Sequence, residues 1–393
     1  MASSRHLLKC LPMICNSTPR FGTLNSKVKL GEIPDICTRE DWGEAINESR
    51  MLLQKYPIKP SFVNRGMGRI SLQTVTKRME DISQDNNNYL INTFKQLLSN
   101  TDDTINELRW PGLVTLMLAK SIGYPFEADN FVSKSLEDVI WSSQVTLAEI
   151  INLLHCNLVF RKEIFRLSLT KKISKNSGIE KELDKMVYNY LTSIVLYKAS
   201  VLNNYKVVQL IADILECLVK TRQSSTTNIL LKNLKEWEYN TLHSQGLLLA
   251  SGCQATLQLA GYDESSQKMA FTFGRNFAFA IKAHAEIQQH WNYQNSRSST
   301  INISSFPIAL HLQNHPETLP FVYSRNEIFD NADIDMLHTI LQTNSAMRDA
   351  KMQLEIYIKK ALGILQQLQK SGNDDVTVNL IKLVNTLCSI NEF

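Results

Sequence analysis

Apolar residues recur at helical spacing from about Asp41 almost to the C-terminus. Val207, Leu210, Ile211, Ile214, Leu215 and Leu218 fall at steps of three and four, and Leu147, Ile150, Ile151, Leu154 and Leu158 repeat the pattern. Such spacing lays a stripe along one face of a helix with 3.6 residues per turn. Phe273, Phe277 and Ile281 follow at steps of four on a later helix. The stretch 246–261, GLLLASGCQATLQLAG, is apolar nearly all round, broken by Ser251, Gln254 and Gln258. It is too short to span a bilayer and reads as a buried core helix. Neither β-type alternation nor a repeat of fixed period is present, so a helical solenoid has no support.

The punctuation agrees with helices. Pro111 stands near a helix start, Gly261 follows Leu259 and Ala260 at a helix end, and polar breaks occupy 223–227 and 295–300. Residues 166–178, RLSLTKKISKNSG, read as a loop. With only 14 Gly and 10 Pro in 393 residues, a turn-rich β architecture is excluded. The expectation is an all-α chain, a single large helical bundle of about ten or more helices filling residues 40–393.

Composition adds exclusions. Hydrophobic residues at 44% and charged residues at 20% are those of a globular chain, and a formal charge of +4 is too small to imply nucleic acid. The seven cysteines, at 10, 15, 37, 156, 217, 253 and 388, form no C-x-x-C pair, which argues against a zinc site or a disulfide framework. No transmembrane segment is expected. The first 31 residues differ from the rest: they carry Arg5, Lys9, Arg20, Lys27 and Lys29 with several serines, and the first acidic residue is Glu32. An acid-free, basic, Ser-containing segment with Leu7, Leu8, Leu11 and Met13 on an apolar side is the pattern of a mitochondrial transit segment, so 1–31 is read as a leader to the matrix.

Four segments carry a resemblance, in order. Residues 147–166, LAEIINLLHCNLVFRKEIFR, resemble a helix of the form AE-x-I-x-x-IH-x-A-S-L-x-H-D-D-x-x-D; residues 183–196 resemble NK-x-A-x-L-x-GD-x-L. Residues 246–261 resemble the helix after a K-T dipeptide, and residues 273–289, FGRNFAFAIKAHAEIQQ, resemble FG-x-x-L-G-x-A-F-Q-x-x-D-D-x-x-D. These are the blocks of the trans-prenyl diphosphate synthases, and the similarity runs from about residue 110 to 310. It implies the isoprenoid synthase type of helical bundle. In that family, two facing D-D-x-x-D helices hold Mg²⁺, a hard cation requiring several oxygen ligands, against the diphosphate of an allylic substrate.

Neither cluster survives. The first motif's aspartates fall on Lys162, Glu163 and Arg166, the second's on Ala285, Glu286 and Gln289. Two replacements are cationic where a cation would sit, which repels it. The diphosphate clamp G-K-R-x-R-P becomes NELRWP at 106–111, keeping only the proline, with Arg109 displaced by one; the K-T dipeptide becomes Ser244 and Gln245, and the Asp of GD-x-L becomes Thr192. His155 matches the histidine that binds the homoallylic substrate in the family, although a packed core histidine fits it as well. Glu286 alone cannot hold a metal, and Lys162, Glu163 and Arg166 also read as a solvated helix face.

An apolar scaffold kept while its metal ligands are lost matches, within this family, the non-catalytic second subunit of heteromeric long-chain, decaprenyl-type synthases. The segments 237–246 and 305–310 (SFPIAL) resemble that subunit more than the active enzymes. The resemblance implies a supporting subunit, inactive alone, joined in a heterodimer or heterotetramer to a catalytic polyprenyl diphosphate synthase subunit. The pair would make the side-chain precursor of ubiquinone, with no cofactor on this chain and Mg²⁺ in the partner. Excess apolar residues on 147–165, Phe160 among them, make that segment with the neighbouring helix 186–202 the interface candidate, and Glu286 is expected to be dispensable. Two alternatives remain at this point: an active prenyltransferase with a metal-poor site in which Lys162, Arg166 and Lys282 grip phosphate, and a helical adaptor unrelated to isoprenoids.

Overall fold

A computed structural model describes residues 41–56, 109–126, 131–169, 177–224, 231, 233–293, 304–318, 345–369 and 374–388, with Lys77, Thr339 and Leu341 as isolated positions. The helices are α1 (Asp41–Gln54), α2 (Trp110–Ile122), α3 (Phe131–Leu169), α4 (Ser177–Val201), α5 (Tyr205–Ser224), α6 (Leu234–Thr241), α7 (Leu247–Leu259), α8 (Glu264–Tyr293), α9 (Phe306–Asn314), α10 (Ala346–Leu368) and α11 (Asp374–Asn385). Among the described residues there is no strand. These helices belong to one compact unit, Cys37–Phe393. The leader expected at 1–31 and the break at 295–300 lie outside the described residues.

Helix α2 carries Pro111 in its first turn, where the missing N–H costs nothing; the Leu113 N–H donates to the Arg109 carbonyl at 3.0 Å. Nearly every residue of α2 is buried, because α1, α3, α7 and α11 all pack on it. The helices α7 and α8 lie side by side, and α10 covers the other side of α8. Gly274 sets the spacing of the first pair: a Cβ there would stand 2.8 Å from both Ala250 Cα and the Leu249 carbonyl oxygen, and backbone cannot yield. Around this layer the core gathers Leu116, Leu249, Phe273, Phe277, Tyr357 and Leu380. A second core joins α3, α4, α5 and α7 through Ile151, Val195, Val207, Ile211 and Ile214; all of these but Val195 lie on the stripes read from the periodicity.

One part of the loop expected at 166–178 is helical. Helix α3 runs to Leu169 and α4 begins at Ser177, leaving 170–176 outside the described residues. Arg, Leu and Ser do not stop a helix as Gly or Pro would, so the apolar period of α3 continues through Leu167 and Leu169. Elsewhere the punctuation holds: α5 ends at Ser224, and Gly261 closes α7 at φ +84°. Cys156, Cys217 and Cys253 are buried thiols, and burial pushes the Cys253 thiol far up. No helix among the described residues is long and apolar enough to cross a membrane.

Candidate functional site

Two places on the scaffold correspond to the chemistry expected from the sequence blocks: the corner where α2 meets α3, and the second motif on α8. At the corner, the Arg109 backbone N–H donates to Asn152 Oδ1 at 3.0 Å, and burial pushes the Cys156 thiol up, opposed by the positive charge of Arg109. Trp110 stands where the clamp pattern has an arginine before its proline. Its indole meets His155 edge to face, with ring centroids 5.5 Å apart. A ring in place of a guanidinium removes a bidentate phosphate donor and substitutes aromatic contact. His155 is thus a partly buried, packed histidine against an indole.

The first motif's positions, Lys162, Glu163 and Arg166, lie on the last third of α3, at the helical spacing i, i+1, i+4. Their side chains lie outside the described residues. Phe160, just before them, is 1% exposed in the chain alone. This corrects its assignment as an interface residue: it offers no surface to a partner, and burial on the chain's own core accounts for its apolarity. Phe273 and Phe277, each fully buried, are core residues as well.

The second motif holds a different construction. Ala285 is exposed, Gln289 is partly buried, and Glu286 is buried at 4% exposure. The Glu286 carboxylate accepts from Trp237 Nε1 at 2.8 Å and from the Phe306 backbone N–H at 2.7 Å, both on Oε2, while Lys282 Nζ pairs with Oε1 at 2.8 Å. Phe306 is the first residue of α9, whose preceding Ser305 makes no side-chain cap bond. Glu286 therefore supplies from α8 the acceptor that the N-terminus of α9 lacks, and a negative charge is favourable there. The next turn adds a contact of the same kind, between His290 Nε2 and Ser305 Oγ at 2.7 Å. Trp237 also lies 4.7 Å from the Phe306 ring and 5.9 Å from Phe279, closing the carboxylate under an aromatic cover.

Through this network Glu286 joins α6, α8 and α9. Lys282, one of three cations assigned to phosphate in the metal-poor enzyme reading, is engaged by Glu286 one turn away. The residues also fail to fit the Mg²⁺ cluster that the fold implies. Ala285 has no donor, both Glu286 oxygens are taken, and among the described residues no three of His, Cys, Asp and Glu could hold a metal together. No step through Mg²⁺ follows at this second motif.

The remaining family positions are also altered. Ser244 and Gln245 sit in a single π-helical turn, Leu242–Gly246, between α6 and α7, where Ser244 Oγ donates to the Thr241 carbonyl at 3.3 Å. The Thr192 hydroxyl is buried without a partner. Sequence reasoning flagged the segments holding Trp237 and Ser305–Phe306 but not their meeting at Glu286. An apolar-flanked Glu inside the core stripe of α8 is the signal that pointed there.

Comparison with known proteins follows the same line. No family model matches the chain. It is 30% identical over 223 residues to a human all-trans-polyprenyl-diphosphate synthase, PDSS2, covering 53% of this chain and 55% of that protein, so the chain spans about half the length of this relative. The mitochondrial solanesyl-diphosphate synthase 1 of Oryza sativa subsp. japonica is 21% identical over 294 residues, covering 70% of this chain and 67% of that one. Among solved structures, a decaprenyl diphosphate synthase from Rhodobacter capsulatus superposes with a TM-score of 0.58 at 11% identity, over 88% of this chain and 98% of that one. An Arabidopsis medium/long-chain prenyl pyrophosphate synthase gives 0.57 at 17%, over 79% and 99%. The structural likenesses establish the fold. The chain is thus similar in sequence, over about half its length, to a trans-polyprenyl diphosphate synthase, and it has the fold of the prenyl diphosphate synthases.

Proposed function

We propose that this chain is a non-catalytic, supporting subunit of a heteromeric trans-polyprenyl diphosphate synthase that makes the isoprenoid side chain of ubiquinone in mitochondria. The single observation that carries the reading is the Glu286 network. The position where the fold would place a metal-binding carboxylate is instead a closed structural joint, with Lys282 supplying the positive charge internally. Trp110 on His155 extends the same reading to the homoallylic-substrate corner. The catalytic groups, and the Mg²⁺, belong in this proposal to a homologous partner subunit. Similarity to a polyprenyl-diphosphate synthase and to a mitochondrial solanesyl-diphosphate synthase supports both the pathway and the compartment.

Co-purification tests this. The tagged full chain, recovered from mitochondria of its own cells, is expected to bring down a second prenyl synthase chain with intact D-D-x-x-D motifs. Recovery as a homo-oligomer that elongates prenyl chains by itself would restore the metal-poor enzyme. Recovery with partners unrelated to isoprenoids would restore the adaptor.

A further inference from the structure

Where the C-terminal end of α2 meets α1 and α3, a lysine amine stands among aromatic rings. Lys120 Nζ lies 4.1 Å from the centre of the Trp141 ring, 4.3 Å from that of Tyr56 and 5.5 Å from that of Tyr124. It donates one long hydrogen bond, 3.5 Å, to the Tyr124 hydroxyl, and Glu137 and Asp138 of α3 act on it through space. Trp141 is 4% exposed, and its indole N–H has no hydrogen-bond partner among the described residues. A buried donor is normally satisfied, so this one calls for an acceptor. Lys120 is only partly buried, which leaves part of its side chain in solvent.

We propose that Lys120 is a covalent modification site, acylated by small acyl thioesters, with the Trp141 indole N–H as the donor to the acyl oxygen. The amine lone pair attacks the thioester carbonyl carbon; the C–N bond forms, the C–S bond breaks, and the thiol leaves with the proton lost from nitrogen. Only the neutral amine reacts in this way. Burial lowers the Lys120 pKa to about 8, against Glu137 and Asp138, whereas an exposed lysine is almost wholly an ammonium at that pH. The other elements on α2 bring no further charge to the amine. Helix α7 has no charged residue, Glu48 of α1 is paired with Lys382, and the α11 carboxylates Asp374 and Asp375 are exposed. Burial raises the Tyr124 phenol, which stays neutral. The acyl oxygen stands one carbon away from Nζ, within reach of a ring whose centre is 4.1 Å from that atom. A methyl group offers no acceptor and would leave the indole unpaired.

The test incubates the full chain with S-acetyl-N-acetylcysteamine and follows acetylation of each lysine by peptide mass spectrometry at low conversion. Lys268 and Lys359, both exposed, serve as references. At about pH 8 Lys120 is expected to react at least about fivefold faster than either, and its rate should level off above that pH while theirs keep rising. In urea the difference should vanish. Trp141→Phe keeps a ring and removes the donor, and is expected to slow Lys120 at least about threefold with the references unchanged. Lys120 reacting no faster than the references, a rate climbing in parallel with theirs, a preference that persists in urea, or an undiminished rate in a folded Trp141→Phe chain overturns the proposal. If Trp141→Phe fails to fold, it labels evenly as in urea, and the comparison within the unaltered chain decides. The readout needs no partner and no prenyl substrate, so it fails or succeeds independently of the supporting-subunit reading.

Discussion

At the scale of single residues, Glu286 decides the character of the site. Removing its carboxylate leaves the Trp237 Nε1–H and the Phe306 N–H buried without an acceptor and releases Lys282. Glu286→Ala is therefore expected to destabilise the fold by about 2–4 kcal/mol, from two orphaned donors and a broken ion pair partly open to solvent on the lysine side. Glu286→Gln keeps an acceptor for both N–H groups and should lose about half of that or less. Urea unfolding followed by helical ellipticity measures both. A neutral Glu286→Ala would mean that the network contributes nothing, and a gain of Mg²⁺-dependent chain elongation in Glu286→Asp would mean that the site is still catalytic in design. The sequence foretold the loss of carboxylates but not this reuse, because periodicity reports which face a residue occupies and carries no information on what arrives opposite it. Trp237 and Phe306 are 49 and 20 residues away from Glu286.

At the scale of elements, the account turns on how tightly helices approach. Gly274→Ala drives a Cβ into the backbone of α7 at 2.8 Å and is expected to cost about 1–3 kcal/mol, with loss of cooperativity if α7 and α8 separate. Phe160→Ala should cost about 3–5 kcal/mol through a cavity in the chain's own core, whether or not a partner is present. Dependence of that cost on partner concentration would revive the interface reading of Phe160. Titration offers a further check on the joint between α1, α2 and α3. Lys120 Nζ lies 4.1 Å from the Trp141 ring centre and 4.3 Å from that of Tyr56, and burial lowers its pKa to about 8, against the pull of Glu137 and Asp138. The unfolded chain then binds more protons than the folded one above about pH 8, so stability from this group rises with pH from there towards 10.0, where Tyr124, whose phenol burial shifts upward, begins to act oppositely. Lys120→Met is expected to flatten that window in pH-dependent urea melts; an unchanged slope would remove Lys120 as its source. The helices themselves were legible, since stripes such as Val207–Ile211–Ile214 needed only a period. Their ends were less so, as α3 shows by running to Leu169 through a stretch that its charge made look like a loop.

At the scale of the whole molecule, a chain with the synthase scaffold and a closed metal position is suited to supporting another chain's chemistry. Two expectations belong here, import and activity. Residues 1–35 fused to a reporter should reach mitochondria; a cytosolic reporter together with a cytosolic full chain would contradict the compartment. The central claim is tested most directly by elongation of a labelled allylic primer with isopentenyl diphosphate and Mg²⁺, run on this chain alone, on a catalytic prenyl synthase partner alone, and on the two co-expressed. Losing a whole metal cluster costs far more than the roughly 10²–10³-fold that follows removal of one electrostatic group, so the chain alone should give no product, while the co-expressed pair should exceed the partner alone. Product from the purified chain by itself, or a pair no more active than the partner, would contradict the account.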